Sequence, residues 1–146
     1  MSQQNEFDIA CYILEKQGEI SAMKLQKLLY YCQAWSMVWD EKTLFETDFE
    51  AWANGPVLPT IYDIHRGKFL VNKDLFTSGN PSNIDAEARD TIDQVLKVYG
   101  DKTAQWLSNL THEEAPWKES RGDLSPLDRS NTIIEKGIIH EYYSGL

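Results

Sequence analysis

Between about residues 21 and 39 the chain carries a helix pattern that is apolar on two sides, and this restricts the folds open to it. Leu25, Leu28, Leu29, Cys32, Trp35 and Trp39 form one stripe, and Tyr30, Tyr31, Ala34, Met37 and Val38 form a second. A helix with two apolar sides must be covered on both, so it belongs at the centre with other elements wrapped around it. Ser21 is placed to cap its first turn, because its hydroxyl can accept a bond from a free backbone N–H. The densest apolar run, Leu28 to Trp39, is broken by Gln33 and Ser36 and is too short to span a bilayer, so no membrane partner is expected.

The other segments supply the cover. Phe7, Ala10, Cys11 and Leu14 share one face of a helix from about 7 to 16, ended by Gly18. Phe45, Thr47, Phe49 and Ala51 alternate with Glu46, Asp48 and Glu50, which predicts a strand over 45–51 with an outward row of carboxylates. Gly55-Pro56 reads as a turn, and Pro59 opens a short helix over 60–66. Residues 68–83 read as connection, loosest over 78–83. Asp85 caps a helix to Tyr99, and Thr103 caps one to Leu110. Thr111 and Glu114 have capping-box spacing, with a loop through Pro116, Gly122 and Pro126 beyond. Residues 132–134 suggest a second strand beside the first, and the last helix runs from about 135 to 143, burying Ile138, Ile139 and Tyr142. The expectation is a mainly α fold: one compact helical domain over 1–146 around a central helix, with a small two-stranded β element.

Chemistry is sparse by comparison. The 14 Lys and Arg residues against 23 Asp and Glu residues leave a net charge of −9, which disfavours a phosphate-tracking surface and hence a nucleic-acid partner. His65, His112 and His140 lack the spacing of a metal site, and no phosphate-binding glycine loop or nucleophile elbow occurs, so neither metal nor cofactor is expected. Cys11 and Cys32 sit in apolar stripes and read as reduced core residues of a cytoplasmic protein. The N-terminus has no basic, apolar signal pattern. His112 reads as an anchor that ties a loop to the core, ahead of a general base. Trp117 reads as core edge, ahead of a partner anchor, and Trp52 reads either way. Lys24 and Lys27 read as a solvated edge or as partners for the strand carboxylates. No catalytic constellation emerges, which favours a binding protein.

Three blocks then carry a resemblance. Residues 24–35, KLQKLLYYCQAW, resemble a family's KLQKLLYYAQ helix, with Cys32 where a small residue is usual. Residues 49–59, FEAWANGPVLP, are similar to its FEAWxxGPVxP segment. Val98-Tyr99-Gly100, then residues 107–112 and Pro116-Trp117, resemble its YG … LSxLTHxxxPW block, and Ile134 with 138–143 its closing pattern. The family is the Panacea, SocA-like, phage-associated antitoxin domain. With about twenty residues before Lys24, the chain resembles its minimal form.

The resemblance implies an antitoxin that neutralises a cognate protein toxin by direct binding. It leaves open a second role, as an adaptor delivering the toxin to a AAA+ protease, while the residues leave open an enzyme centred on His112. The expected toxin-binding residues are Glu46, Asp48, Glu50, Trp52, Gly55 and Pro56, with Tyr30, His112 and Trp117. The oligomeric state is open.

Overall fold

The computed structural model describes residues 4–125 and 128–146. Pro126 of the expected loop lies outside them. Among the described residues the chain is mainly helical. Helix α1 (Glu6–Gln17) begins with a capping box in which Asn5 accepts from the Asp8 N–H and Asp8 accepts from the Asn5 N–H. Gly18, at φ 74°, ends it. Strand β1 (Ile20–Ser21) leads into α2 (Ala22–Trp39), whose cap is Ser21 as the sequence implies. Strands β2 (Phe49–Trp52) and β3 (Gly55–Val57) form a hairpin, followed by α3 (Pro59–His65) and β4 (Leu70–Val71). Helices α4 (Ala86–Tyr99), α5 (Ala104–Glu113) and α6 (Ala115–Arg121), strand β5 (Ile133–Ile134) and α7 (Lys136–Ser144) complete the order.

Helix α2 is the axis, and α1, α4, α5 and α7 all pack on it. Leu25, Leu28, Leu29, Tyr31, Cys32 and Ala34 are wholly buried there. The core continues through Ile9 and Ile13 of α1, Ile92 and Val95 of α4, Leu107 of α5 and Ile139 of α7. In α7 the fully buried tyrosine is Tyr143; Tyr142 and Ile138 are half-buried. No helix among the described residues is long and apolar enough to cross a membrane.

Several local expectations are corrected. The strand starts at Phe49, not Phe45. Upstream the backbone is bound by a side chain: Gln33 accepts from the Leu44 N–H and donates to the Phe45 carbonyl. The sheet has three antiparallel strands, in the order β3-β2-β5, because Gly55–Val57 pairs back on β2. Gly55-Pro56 is therefore strand, facing Trp52 and Ala51, and the turn is Ala53-Asn54. Pro56 fits because β3 is an edge strand that can spare an N–H. A separate ribbon pairs Ile20 with Val71 and Ser21 with Leu70, inside what reads as connection. Residues 78–83 are pinned as well, since Asp8 accepts from the Asn80 N–H and from the Asn83 amide.

The other correction lies at residues 111–121. Thr111 is inside α5, its hydroxyl donating to the Ser108 carbonyl, so it does not cap a new helix. Glu114 is the extended residue between α5 and α6, at φ −92° and ψ 145°. The presumed loop after it is helix α6, with Pro116 in the first turn, where a missing N–H costs nothing.

Candidate functional site

Polar side chains of α2 point into the protein and hold the backbone of other segments, Ser36 among them through the Lys42 carbonyl. Lys24 Nζ donates to the Gly100 carbonyl at 2.7 Å. Gln26 grips Leu58 by both its N–H and its carbonyl, and meets His65 Nε2 at 3.0 Å. Lys27 Nζ donates to the Pro56 carbonyl at 3.3 Å, and Gln33 holds residues 44 and 45. Neither lysine is a solvated edge or a partner of the strand carboxylates. Lys27 is 1% exposed, and burial pulls its amine down to about 7. Of the side chains that break the apolar pattern of α2, Lys27 holds the β2–β3 hairpin and Gln26 the residue after it, while Lys24 and Gln33 hold segments elsewhere.

The hairpin is clamped from its other side by α5 and α6. Ser108 Oγ donates to the Asn54 carbonyl, Trp117 Nε1 to the Trp52 carbonyl at 2.7 Å, and Arg121 to the Ala51 carbonyl at 3.0 Å. Arg121 also donates to the carbonyls of Ser125 and Asp128 and lies over the Trp117 ring. Gly55 sits at φ 116°, and a Cβ there would lie 2.5 Å from Lys27 Cε and 3.0 Å from Thr111 Oγ1. Only glycine lets the strand approach α2 and α5 this closely. The three sequence blocks, far apart in the chain, therefore meet in one corner.

The nine expected binding residues divide by depth. Tyr30, Gly55, Pro56 and Trp117 are buried, and they shape the corner from within. His112 is half-buried and stacks on Trp117 with ring centroids 4.1 Å apart. Its Nε2 is shut from solvent without a hydrogen-bond partner. Burial, then Lys27 and Arg121, push its pKa down, so the ring is neutral at pH 7. A neutral imidazole packed flat on an indole makes an anchor.

Glu46, Asp48, Glu50 and Trp52 reach the surface to differing degrees. Glu46 is exposed, accepting from Thr43 Oγ1. Asp48 pairs with Lys136, and Glu50 accepts from Trp52 Nε1 at 2.9 Å. The row is thus partly neutralised by its own neighbours. Trp52 packs edge-on against Tyr62 at 4.8 Å and lines an open groove of about 660 Å³ with Asn54, Arg129 and Asn131.

A buried acid not anticipated from the sequence lies behind the corner. Glu114 accepts from the hydroxyls of Tyr31 and Tyr143, each at 2.6 Å, and Tyr143 also meets the Tyr30 hydroxyl at 3.1 Å. Burial raises the Glu114 pKa, while the two tyrosine bonds act against that rise. The spacing from Thr111 reads as a cap, which hides this inward role. No cluster of three or more metal-ligating side chains occurs among the described residues.

Residues 25–118 match the profile of the SocA-like antitoxin, Panacea domain. The chain is 31% identical over 110 residues to antitoxin SocA of Caulobacter vibrioides (strain NA1000 / CB15N), an alignment covering 67% of this chain and 58% of that relative. The chain thus spans less than two thirds of that protein's length. No solved structure matches the chain. The matched stretch contains the lysine-glutamine staples of α2, the clamped hairpin and the His112–Trp117 stack, and the chain belongs to the SocA-like Panacea antitoxin family.

Proposed function

We propose that the chain is an antitoxin that neutralises a cognate protein toxin by binding it directly. The family match over residues 25–118 carries this reading. The structure adds a physical reason. Motif residues Gln26 and Lys27 hold Leu58 and the hairpin's Pro56 to the central helix, and outside the motif Arg121 bonds Ala51 of the hairpin and Glu114 bonds Tyr31 of that helix, so buried polar side chains are spent on rigidity. A preorganised body of this kind loses little entropy on docking. Its net charge of −9 suits a basic partner. Glu46, Asp48, Glu50 and Trp52 offer that partner an acidic margin around the hairpin.

The test is co-expression with the polypeptide encoded beside this chain, scored by growth and by co-purification. Direct neutralisation predicts rescue with a stable complex, also in cells lacking AAA+ proteases. Rescue that disappears in those cells would show degradation instead. Reversing Glu46, Asp48 and Glu50 to lysine is expected to weaken binding and flatten its salt dependence; a folded triple variant with unchanged affinity would remove the acidic margin from the interface.

A further inference from the structure

The three-stranded sheet ends in two outer strands that differ in exposure. Gly55, Pro56 and Val57 of β3 are buried, and the Pro56 carbonyl is taken by Lys27. Strand β5 pairs with β2 alone among the described residues, and its Ile133 is 48% exposed. The register shows where the β5 backbone points. The Ala51 N–H donates to the Thr132 carbonyl at 2.8 Å, while Glu50 stands opposite Ile133 and Phe49 opposite Ile134. Residues of an antiparallel ladder alternate between facing the partner strand and facing away from it. Residues 132 and 134 therefore face β2. The Ile133 N–H and carbonyl face outward, where no further strand follows among the described residues.

Ile133 also lines an open groove of about 850 Å³. Thr132 joins it from the strand, Glu119 and Ser120 from α6, and Lys136 and Ile138 from α7. Asp48 and Glu135 add their carboxylates to that of Glu119. The Lys136 amine is already committed, to Asp48 and to the Glu46 carbonyl. Glu119 and Glu135 are exposed and make no ion pair among the described residues. Three carboxylates thus line the groove against one amine, which is spent. Asp48 belongs both to this groove and to the acidic margin of the hairpin, so the two are continuous.

An unpaired strand edge is a template for an incoming strand: backbone hydrogen bonds supply affinity, and the side chains alongside supply specificity. Charge selects the occupant. A second copy pairing through β5 would bring the same carboxylates to the same groove, and like charges there oppose the contact. We infer that β5 and its groove receive an extended segment of the protein toxin, which adds to the sheet as a fourth strand beside Ile133. The segment places an apolar side chain against Ile133 and lysines or arginines toward Glu119 and Glu135. This inference rests on the direct-binding reading above and names its site.

The probe is the purified polypeptide encoded beside this chain, titrated against wild type and variants. Ile133→Pro removes the outward N–H and no bond to β2, so it is expected to keep Tm near wild type and to weaken binding at least about tenfold. Glu119→Lys with Glu135→Lys is expected to weaken binding by a similar factor. Glu15→Lys with Glu19→Lys makes the same charge change on exposed residues outside the groove and is expected to leave affinity within about twofold of wild type. In wild type, hydrogen exchange at the Ile133 amide should slow at least about tenfold in the complex. That readout needs no variant and decides the matter where Ile133→Pro folds poorly. Unchanged Ile133 exchange in a formed complex, or wild-type affinity in folded Ile133→Pro, overturns the site. Equal weakening by the two charge pairs overturns the selection by charge. A wild-type dimer that Ile133→Pro converts to monomer overturns the assignment too, since the edge then belongs to a second copy. Failure of wild type itself to bind would instead overturn the direct-binding reading.

Discussion

Lys27→Met should make the protein more stable at neutral and acidic pH. The amine is enclosed, among the described residues its one hydrogen bond goes to the Pro56 carbonyl, and burial holds its pKa at about 7 against an ordinary 10.5. At about 1.4 kcal/mol per tenfold, that drop corresponds to about 5 kcal/mol. The sign follows from proton binding. Above pH 10.5 the amine is neutral in both states and the cost is absent. Between 10.5 and 7 the unfolded chain holds the proton and the folded chain does not, so stability falls by about 1.4 kcal/mol per pH unit as pH falls. Below 7 both states are protonated and the full cost remains. Methionine removes the charge but leaves the Pro56 carbonyl unpaired, at about 1–3 kcal/mol. The variant should therefore exceed wild type by roughly 2–4 kcal/mol at pH 6 and lose that advantage by about pH 10. Urea unfolding of both proteins at pH 6, 7, 8, 9 and 10 reads the difference directly. A difference constant within about 1 kcal/mol across that range would refute the reasoning, because Lys27 would then keep its ordinary proton affinity.

Other expectations follow from the same contacts. Gly55→Ala should cost at least about 2–3 kcal/mol, since it adds a disfavoured positive φ to a clash with Lys27; near-wild-type thermal unfolding would contradict the packing. Arg121→Met should cost about 3 kcal/mol by releasing the carbonyls of Ala51, Ser125 and Asp128, and Arg121→Lys should recover little of it in denaturant titrations. Tyr143→Phe should cost about 1–2 kcal/mol by removing one bond to Glu114, and because that bond holds the Glu114 pKa down, its NMR signature is a Glu114 that protonates at a still higher pH. The depressed pKa values of His65 and His112 mean that the unfolded state takes up their protons first as pH falls through about 6.5; His112→Phe should make that acid-side loss of stability shallower.

The architecture was legible where periodicity decided it. The two stripes of α2, the caps Ser21, Asp85 and Thr103, and the stop at Gly18 stand in the structure as the residues imply. Tertiary competition defeated local pattern elsewhere. Residues 45–48 alternate like a strand, yet Gln33 takes the backbone of Leu44 and Phe45. Thr111 and Glu114 have cap spacing, yet the carboxylate turns inward to two tyrosines lying far away in the chain. The site was harder still. Lys24 and Lys27 look like surface residues by type, and only the folded chain shows that they hold Gly100 and Pro56. Their one signal in the sequence was position: Lys27 and Gln26 lie between apolar residues on both flanks of a helix that has little outer face.

The central claim is that this body acts by occluding another protein. Purified chain mixed with the purified polypeptide encoded beside it, followed by sedimentation velocity in moderate salt, tests this with no cellular machinery present. The account predicts a discrete complex heavier than either component and a loss of the partner's toxicity in step with its formation. Two components sedimenting independently at micromolar concentration, while the pair still protects cells, would contradict it.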